Sequence, residues 1–394
     1  MQQPKSFPFD IRDVEEHENE ELCKYFSGVN GKCNIQVGPK KYLLLSDYKN
    51  EAESIYNMPL RTDDIFIVTF PRSGTTWTQA IVWLLAYDLD FSTANKIPLE
   101  ERSVFLEFSM LMHKGILEKL KKVHAGTTWT QAIVWLLAYD LDFSTANKIP
   151  LEERSVFLEF PLLMHKGFLD KLKKVHAGKE EKLKALDLLS VPGTVQVAAM
   201  PSPRVIKTHL PMSLLPPSLP DSCKVVYVAR DPRDVAVSCY HLNSEFQSVK
   251  FNGDFKTFWS LFVKDLVYWS PFFDHLKEAW EMRHHPNMMF LFYEELSQNL
   301  SATVKRIADF LGKEYTAEQL DDLCTHIKFD NFKKNTSVNI VNMKELGIMA
   351  PKGEFIRKGK SGGWRDYFDA DMSREAEDWI AKNLQHTDLR FPTV

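Results

Sequence analysis

Cysteine is scarce, at five residues in 394, and Cys23, Cys33, Cys223, Cys239 and Cys324 are scattered with no C-x-x-C pair. That argues against a disulfide framework or a cysteine-rich zinc site and reads as reduced thiols in a cytoplasmic protein. Long hydrophobic runs are missing too. The longest, Ala80–Tyr87, falls far short of the roughly 20 apolar residues a membrane span needs. The N-terminus, MQQPKSFPFDIRDVEEHENEE, is acidic and broken by proline, without the basic start and apolar stretch of a signal peptide. Nor is there a surplus of positive charge. The formal net charge is −4, which argues against a nucleic-acid partner and leaves room for a local basic pocket. No grouping of His, Cys, Asp or Glu has metal-ligand spacing, so no metal is expected.

What the chain does have is a 44% hydrophobic content, enough for a sizeable core, and a long internal repeat. Gly74–Ala125 returns as Gly126–Ala177, offset by 52 residues, with four differences: Ser109/Pro161, Met110/Leu162, Ile116/Phe168 and Glu118/Asp170. Solenoid repeats diverge and recur more often. Two near-identical copies read as a tandem duplication, or as one exon counted twice. Each copy carries an amphipathic helix pattern, Trp77, Ala80, Ile81, Leu84 and Tyr87 in the first and Trp129, Ala132, Ile133, Leu136 and Tyr139 in the second. One fold position exists for that helix, so 126–177 is expected to be an inserted or poorly accommodated duplicate within a single domain spanning 1–394.

Short apolar runs alternate with helical patterns. Asp64–Phe70, Arg204–His209, Lys224–Val228 and Met288–Tyr293 read as strands. Helices are expected from Thr75 onward, at Asp231–Tyr240, at Leu300–Leu311 capped by Asn299 or Ser301, and at Ala317–His326 capped by Thr316. This alternation predicts an α/β fold, a P-loop-like parallel sheet with helices on both faces. The charged stretch Lys179–Lys184 reads as a solvated helix face or connector.

Residues 69–77, Thr-Phe-Pro-Arg-Ser-Gly-Thr-Thr-Trp, run from a strand through a tight turn into a helix start. That arrangement aims backbone N–H groups and a helix dipole at one point, an anion site. Arg72 adds a fixed positive charge, and Thr75 and Thr76 add hydroxyls. The spacing is not G-x-x-x-x-G-K-[ST], which disfavours an ordinary nucleoside triphosphatase or kinase.

TFPRSGTTW resembles the 5′-phosphosulfate loop of the cytosolic sulfotransferases, usually T-Y-P-K-S-G-T-T-W. Three more segments match in order: RVIKTHLP at 204–211, VYVARDPRDVAVSCYH at 226–241 and FIRKGKSGGWRDYF at 355–368. The resemblance runs from about Tyr42 to Phe391, with no counterpart for the second repeat copy. It implies transfer of a sulfuryl group from 3′-phosphoadenosine 5′-phosphosulfate (PAPS) to a small phenol, sterol, alcohol or amine, in a protein with neither membrane nor nucleic-acid partners.

By resemblance, His209 is the general base, a role suited to its pKa near neutrality. Lys207, two residues earlier on the same strand, faces the same side and could stabilise transition-state charge. Ser73, Gly74, Thr75, Thr76 and Trp77 join Arg72 around the phosphosulfate. Arg230 and Ser238, with Arg357, Lys358 and Gly359 from the late loop, hold the 3′-phosphate. Trp77, Tyr293 and Phe329 offer aromatic faces to adenine.

Several positions depart from the family pattern. Arg72 stands where lysine contacts the leaving oxygen; arginine keeps the charge but is a far poorer proton donor. Gly363 and Arg365 replace an aspartate and a lysine, and Ile327-Lys328 stands where a threonine often precedes the phenylalanine. The second GTTW, Gly126–Trp129, lacks an incoming strand and a Pro-Arg-Ser turn, so no phosphate is expected there. Val-Phe-Leu-Glu-Phe, a pocket-lining segment in the family, occurs at both 104–108 and 156–160, and the sequence leaves open which copy lines the pocket. Phe70 is expected to add an apolar wall. Asp369–Met372 departs from the family's dimer motif, which leaves a homodimer open. The alternative to an active enzyme is a protein that binds PAPS or its product with little catalysis.

Overall fold

Four apolar runs of the sequence lie side by side as parallel strands. The computed structural model describes residues 6–29, 34–73, 155–159, 161, 164–188, 191–200, 202–327, 344–351 and 361–393. Within these, eight strands form two sheets. β1 (Ile11–Asp13), β2 (Asn34–Val37) and β3 (Tyr42–Leu45) make a small antiparallel sheet in the order β1-β2-β3, with Ile35 opposite Leu44. β4 (Ile65–Val68), β5 (Ser155–Phe157), β6 (Val205–Thr208), β7 (Lys224–Ala229) and β8 (Met288–Phe292) make a parallel sheet in the order β5-β6-β4-β7-β8.

The central strands β4 and β6 are buried at every residue, and β7 nearly so. Strands buried along their whole length suit a parallel sheet covered on both faces. Helices among the described residues include α1 (Glu16–Tyr25), α2 (Tyr48–Tyr56), α3 (Lys166–Val175), α4 (Gly193–Ala199), α5 (Pro232–Glu245), α6 (Phe272–Glu281), α7 (Leu300–Leu311), α8 (Ala317–Ile327) and α9 (Ala370–Asn383).

The four expected strands and the helices expected at Asp231–Tyr240, Leu300–Leu311 and Ala317–His326 are present, with ends shifted by a few residues. Asp231 caps α5 by accepting from the Arg233 N–H at 2.9 Å, and Pro232 takes the first helical position, where its missing N–H is harmless. Of the two caps open for α7, Asn299 is the one used, accepting from Ala302 N–H at 3.2 Å. Thr316 and Gln319 bond reciprocally at the start of α8, Gln319 N–H to Thr316 Oγ1 and Thr316 N–H to Gln319 Oε1. The Lys179–Lys184 stretch lies at the start of helix Glu180–Leu188.

Part of the second repeat copy belongs to the sheet. Ser155–Phe157 is its edge strand, in register with Val205–Lys207. Leu158 N–H extends that ladder to the Lys207 carbonyl at 2.8 Å. α3, also from this copy, buries Phe168, Leu169 and Leu172. Gly193 at the start of α4 abuts the Leu158 carbonyl so closely that any β-carbon there would overlap it. The first copy, 74–125, and the second GTTW lie outside the described residues, as does the helix expected from Thr75.

The amino ends of β4 and β6 are clamped by a buried ion pair. Arg204 Nε donates to Asp64 Oδ1 at 2.7 Å and Nη2 to Oδ2 at 2.5 Å, and both side chains are almost fully buried. The candidate site lies at the carboxyl ends of the same strands.

Candidate active site

The chain runs from β4 to the edge strand β5, returns through β6 beside β4, then crosses to β7 on β4's other side. Such a reversal opens a crevice at the carboxyl ends of the strands, where α/β folds bind ligands. The segments after β4, β6 and β7 meet there.

After β4, Thr69, Phe70, Pro71, Arg72 and Ser73 form a tight turn, closed by Ser73 N–H to the Phe70 carbonyl at 3.2 Å. Arg72 has φ of 68°, the left-handed region that residues other than glycine enter at a cost. Its Nε donates to Ser238 Oγ on α5 at 2.8 Å. Its carbonyl accepts from Arg230 Nη1 at 3.2 Å. Arg230 follows β7, lies over the Tyr293 ring at 4.3 Å and approaches Asp234 at 3.8 Å. Of the residues that the sequence singles out, Arg72, Ser238, Arg230 and Tyr293 are thus brought together. The buried Ser73 hydroxyl has no hydrogen-bond partner among the described residues. Two guanidiniums, two hydroxyls and a turn leading out of a strand suit a phosphate-bearing ligand.

After β6 comes His209, buried at 5% exposure. Its Nδ1 lies 2.8 Å from the Thr69 carbonyl and 3.0 Å from Thr69 Oγ1. A carbonyl only accepts, so Nδ1 carries the hydrogen and Nε2 keeps its lone pair in the neutral ring. Burial, the nearby Lys207 charge and the charges of His275 and Arg72 hold the pKa well below the usual 6.5, although the bond to Thr69 opposes them. The ring is therefore neutral at pH 7. Trp269 meets it edge-on at 5.7 Å. Lys207 is buried, in register with Ile67 and Phe157.

Two further groups hydrogen-bond the His209 backbone, and no sequence motif pointed to either. Tyr227 OH donates to His275 Nδ1 at 2.8 Å, and His275 Nε2 donates to the His209 carbonyl at 2.9 Å. Glu159 accepts from the His209 backbone N–H and, at 2.6 Å, from Thr208 Oγ1. No local motif signals either contact, since the partners lie 48 to 66 residues apart.

Asp234 ties in the late loop. Its carboxylate accepts from Gly362 N–H at 2.7 Å and Trp364 N–H at 2.9 Å, and Arg233 lies over the Trp364 ring at 4.0 Å. Phe70 is fully buried against Phe262, Phe272 and His275, so the expected apolar wall is built into the core. Gly74, Thr75, Thr76, Trp77, Phe329, Arg357, Lys358 and Gly359 lie outside the described residues. Cys223 and Cys239 are buried and pushed up to about 12 by that burial, which leaves them protonated and inert. Among the described residues no helix is long and apolar enough to cross a membrane.

The strand order and the crevice are those of an α/β protein with a ligand site at the carboxyl ends of its strands. Two stretches of the chain, 62–125 and 123–388, match the sulfotransferase domain, and the chain belongs to that family. It is 30% identical over 353 residues to mouse (Mus musculus) sulfotransferase 1B1, covering 89% of this chain and 93% of that protein. It is 30% identical over 361 residues to the luciferin sulfotransferase of Photinus pyralis, covering 89% and 80%. Among solved structures it is similar to retinol dehydratase in complex with androsterone and the inactive cofactor PAP, and to the same protein with retinol and PAP. In each case the identity is 36% and the TM-score 0.79, over 98% of this chain and 99% of the other.

Proposed function

We propose that this enzyme transfers the sulfuryl group of PAPS to the hydroxyl or amine of a small, mostly apolar acceptor, with His209 as general base. The observation that carries this reading is the His209–Thr69 bond, which fixes the tautomer beside the Arg72–Ser238–Arg230 cluster. The acceptor proton passes to Nε2 as the new O–S bond forms and the S–O bond to the phosphate breaks. Much of the rate then comes from alignment and from fixed positive charge at the oxygens where negative charge grows.

Arg72 and Ser73, with Gly74, Thr75, Thr76 and Trp77, are assigned to the 5′-phosphosulfate, and Lys207 to charge in the transition state. Arg230 and Ser238, with Arg357, Lys358 and Gly359, are assigned to the 3′-phosphate. Trp77, Tyr293 and Phe329 are assigned to the adenine. The reaction needs no metal. Retinol and androsterone, bound by the 36%-identical structures, favour an extended or polycyclic alcohol as acceptor. A cytoplasmic location fits the buried free thiols.

Transfer of labelled sulfate from PAPS to a panel of retinoid alcohols, sterols, phenols and arylamines tests the proposal. Turnover that disappears in His209→Ala supports it. Tight binding of PAP with no transfer to any acceptor overturns it and favours a second reading, a cofactor-binding protein with little catalysis. Arg72, standing where the family has lysine, is the observation behind that reading.

A further inference from the structure

Glu159 is a buried carboxylate that no assigned role uses, yet both its oxygens are engaged. One accepts from the Thr208 hydroxyl at 2.6 Å and the other from the His209 backbone N–H. The Thr208 hydroxyl in turn accepts from Leu210 N–H at 3.0 Å. One carboxylate therefore fixes three consecutive residues of the turn that presents His209. Glu159 is itself fixed, by the Leu158–Lys207 ladder bond on one side and by Gly193 against the Leu158 carbonyl on the other. Hydrogen bonds of this kind to a carboxylate are strong and geometrically demanding.

Glu159 belongs to the second copy of Val-Phe-Leu-Glu-Phe. An identical pentapeptide in the first copy carries Glu107. We propose that Glu159, and not Glu107, is the residue that positions the His209 base. This rests on the reading of His209 given above.

The position also carries a pH signature. Burial raises the Glu159 carboxyl from an ordinary 4.5 to about 7, against the opposing pull of Thr208, the His209 N–H and Lys207. The charged or titratable groups facing it are Lys207 and His209 from β6 and its end, and Tyr48 from α2. Protonation would turn one accepting oxygen into a donor facing another donor. Activity in the wild type should then fall as pH drops through about 7, above the range where His209 itself takes a proton.

The test compares wild type, Glu159→Gln, Glu107→Gln and Thr208→Val in PAPS-dependent transfer across pH. Glu159→Gln is expected to lower kcat by about 10- to 100-fold, the scale of a misplacement of about 1 Å, with the KM for PAPS little changed. Its acid limb should move to lower pH. Thr208→Val removes a bond that favours the carboxylate, so its acid limb should move to higher pH. A purely structural role would not shift the two variants in opposite directions. Glu107→Gln should match wild type.

An active wild type with Glu159→Gln equal to it in kcat and pH profile overturns the inference, as does loss of activity in Glu107→Gln instead. Should Glu159→Gln not fold, an unshifted acid limb in Thr208→Val overturns it equally. A wild type without transfer sinks the functional reading and this inference together, an outcome distinct from the others.

Discussion

Asp234 and Gly362 are joined across 128 residues of chain by a 2.7 Å bond from the Gly362 N–H to the Asp234 carboxylate. With the Trp364 N–H on the other oxygen, the helix after β7 and the late loop meet at one side chain. Asp234→Ala would strand these N–H groups, at about 1–3 kcal/mol for each one left buried without a partner. We expect the KM for PAPS to rise more than kcat falls, and calorimetric titration with PAP to show the same weakening. Unchanged PAP affinity would disconnect the loop from donor binding.

The Arg204–Asp64 pair lies at the opposite end of the same strands. Arg204→Met leaves a buried, unpaired carboxylate and should destabilise by about 3–5 kcal/mol. Replacing both partners, Arg204→Met with Asp64→Leu, should recover most of that loss, because the desolvation penalty disappears with the charges. Denaturant midpoints compare the variants, and kcat of the folded fraction should stay near wild type.

Arg72 tests what the leaving oxygen needs. Lysine keeps the charge, loses the Nε bond to Ser238 and can release a proton. General acid help is worth about 10²–10⁴ in rate, so Arg72→Lys should raise kcat tenfold or more while weakening donor binding. A fall in kcat would mean that the guanidinium itself is fitted to the reaction.

Glu294 predicts a pH effect on stability. Burial raises its carboxyl from an ordinary 4.5 to about 7, the Asp231 N–H on one oxygen notwithstanding. Its other oxygen is buried with no partner among the described residues. A raised carboxyl favours the protonated folded state, so its contribution is present below pH 4.5 and is lost as pH rises through about 7. Glu294→Gln should therefore unfold at a higher temperature than wild type at pH 8, with the gap closing toward pH 5. Parallel melting curves at both pH values would refute this.

Deleting 74–125 joins Ser73 to Gly126 and regenerates the Thr-Phe-Pro-Arg-Ser-Gly-Thr-Thr-Trp loop letter for letter. β5, Glu159 and α3 all lie beyond the deletion. The shortened chain should fold, with activity at least equal to the full chain in the same sulfate-transfer assay. Loss of folding would show that the first copy holds structure the second cannot supply.

The parallel strands β4, β6, β7 and β8 were legible because each is a short run rich in apolar and β-branched residues, and the caps Asn299 and Thr316 because capping is local. His209, Arg72, Arg230 and Ser238 were legible through motif context. β5 was not: three residues long, it sits in a segment that the sequence writes twice, so no pattern could say which copy pairs with β6. Asp234, His275 and Glu159 were missed for a different reason. Each has at least one backbone partner far along the chain, and backbone leaves no trace in residue identity. Phe70 was misread because an aromatic beside a phosphate loop looks the same in sequence whether it faces a ligand or Phe262 and Phe272.

Arg72 combines a place in the candidate site with a left-handed backbone, φ 68°. Strained residues of this kind each cost of order 1–3 kcal/mol and persist only where the surroundings hold them. Glycine would relax the turn at no steric cost, yet it would also remove the guanidinium that reaches Ser238. In the mechanism proposed for Arg72, thermal robustness and turnover pull in opposite directions at a single residue. A screen for heat resistance alone would drift toward glycine at 72 and select a more durable, slower protein.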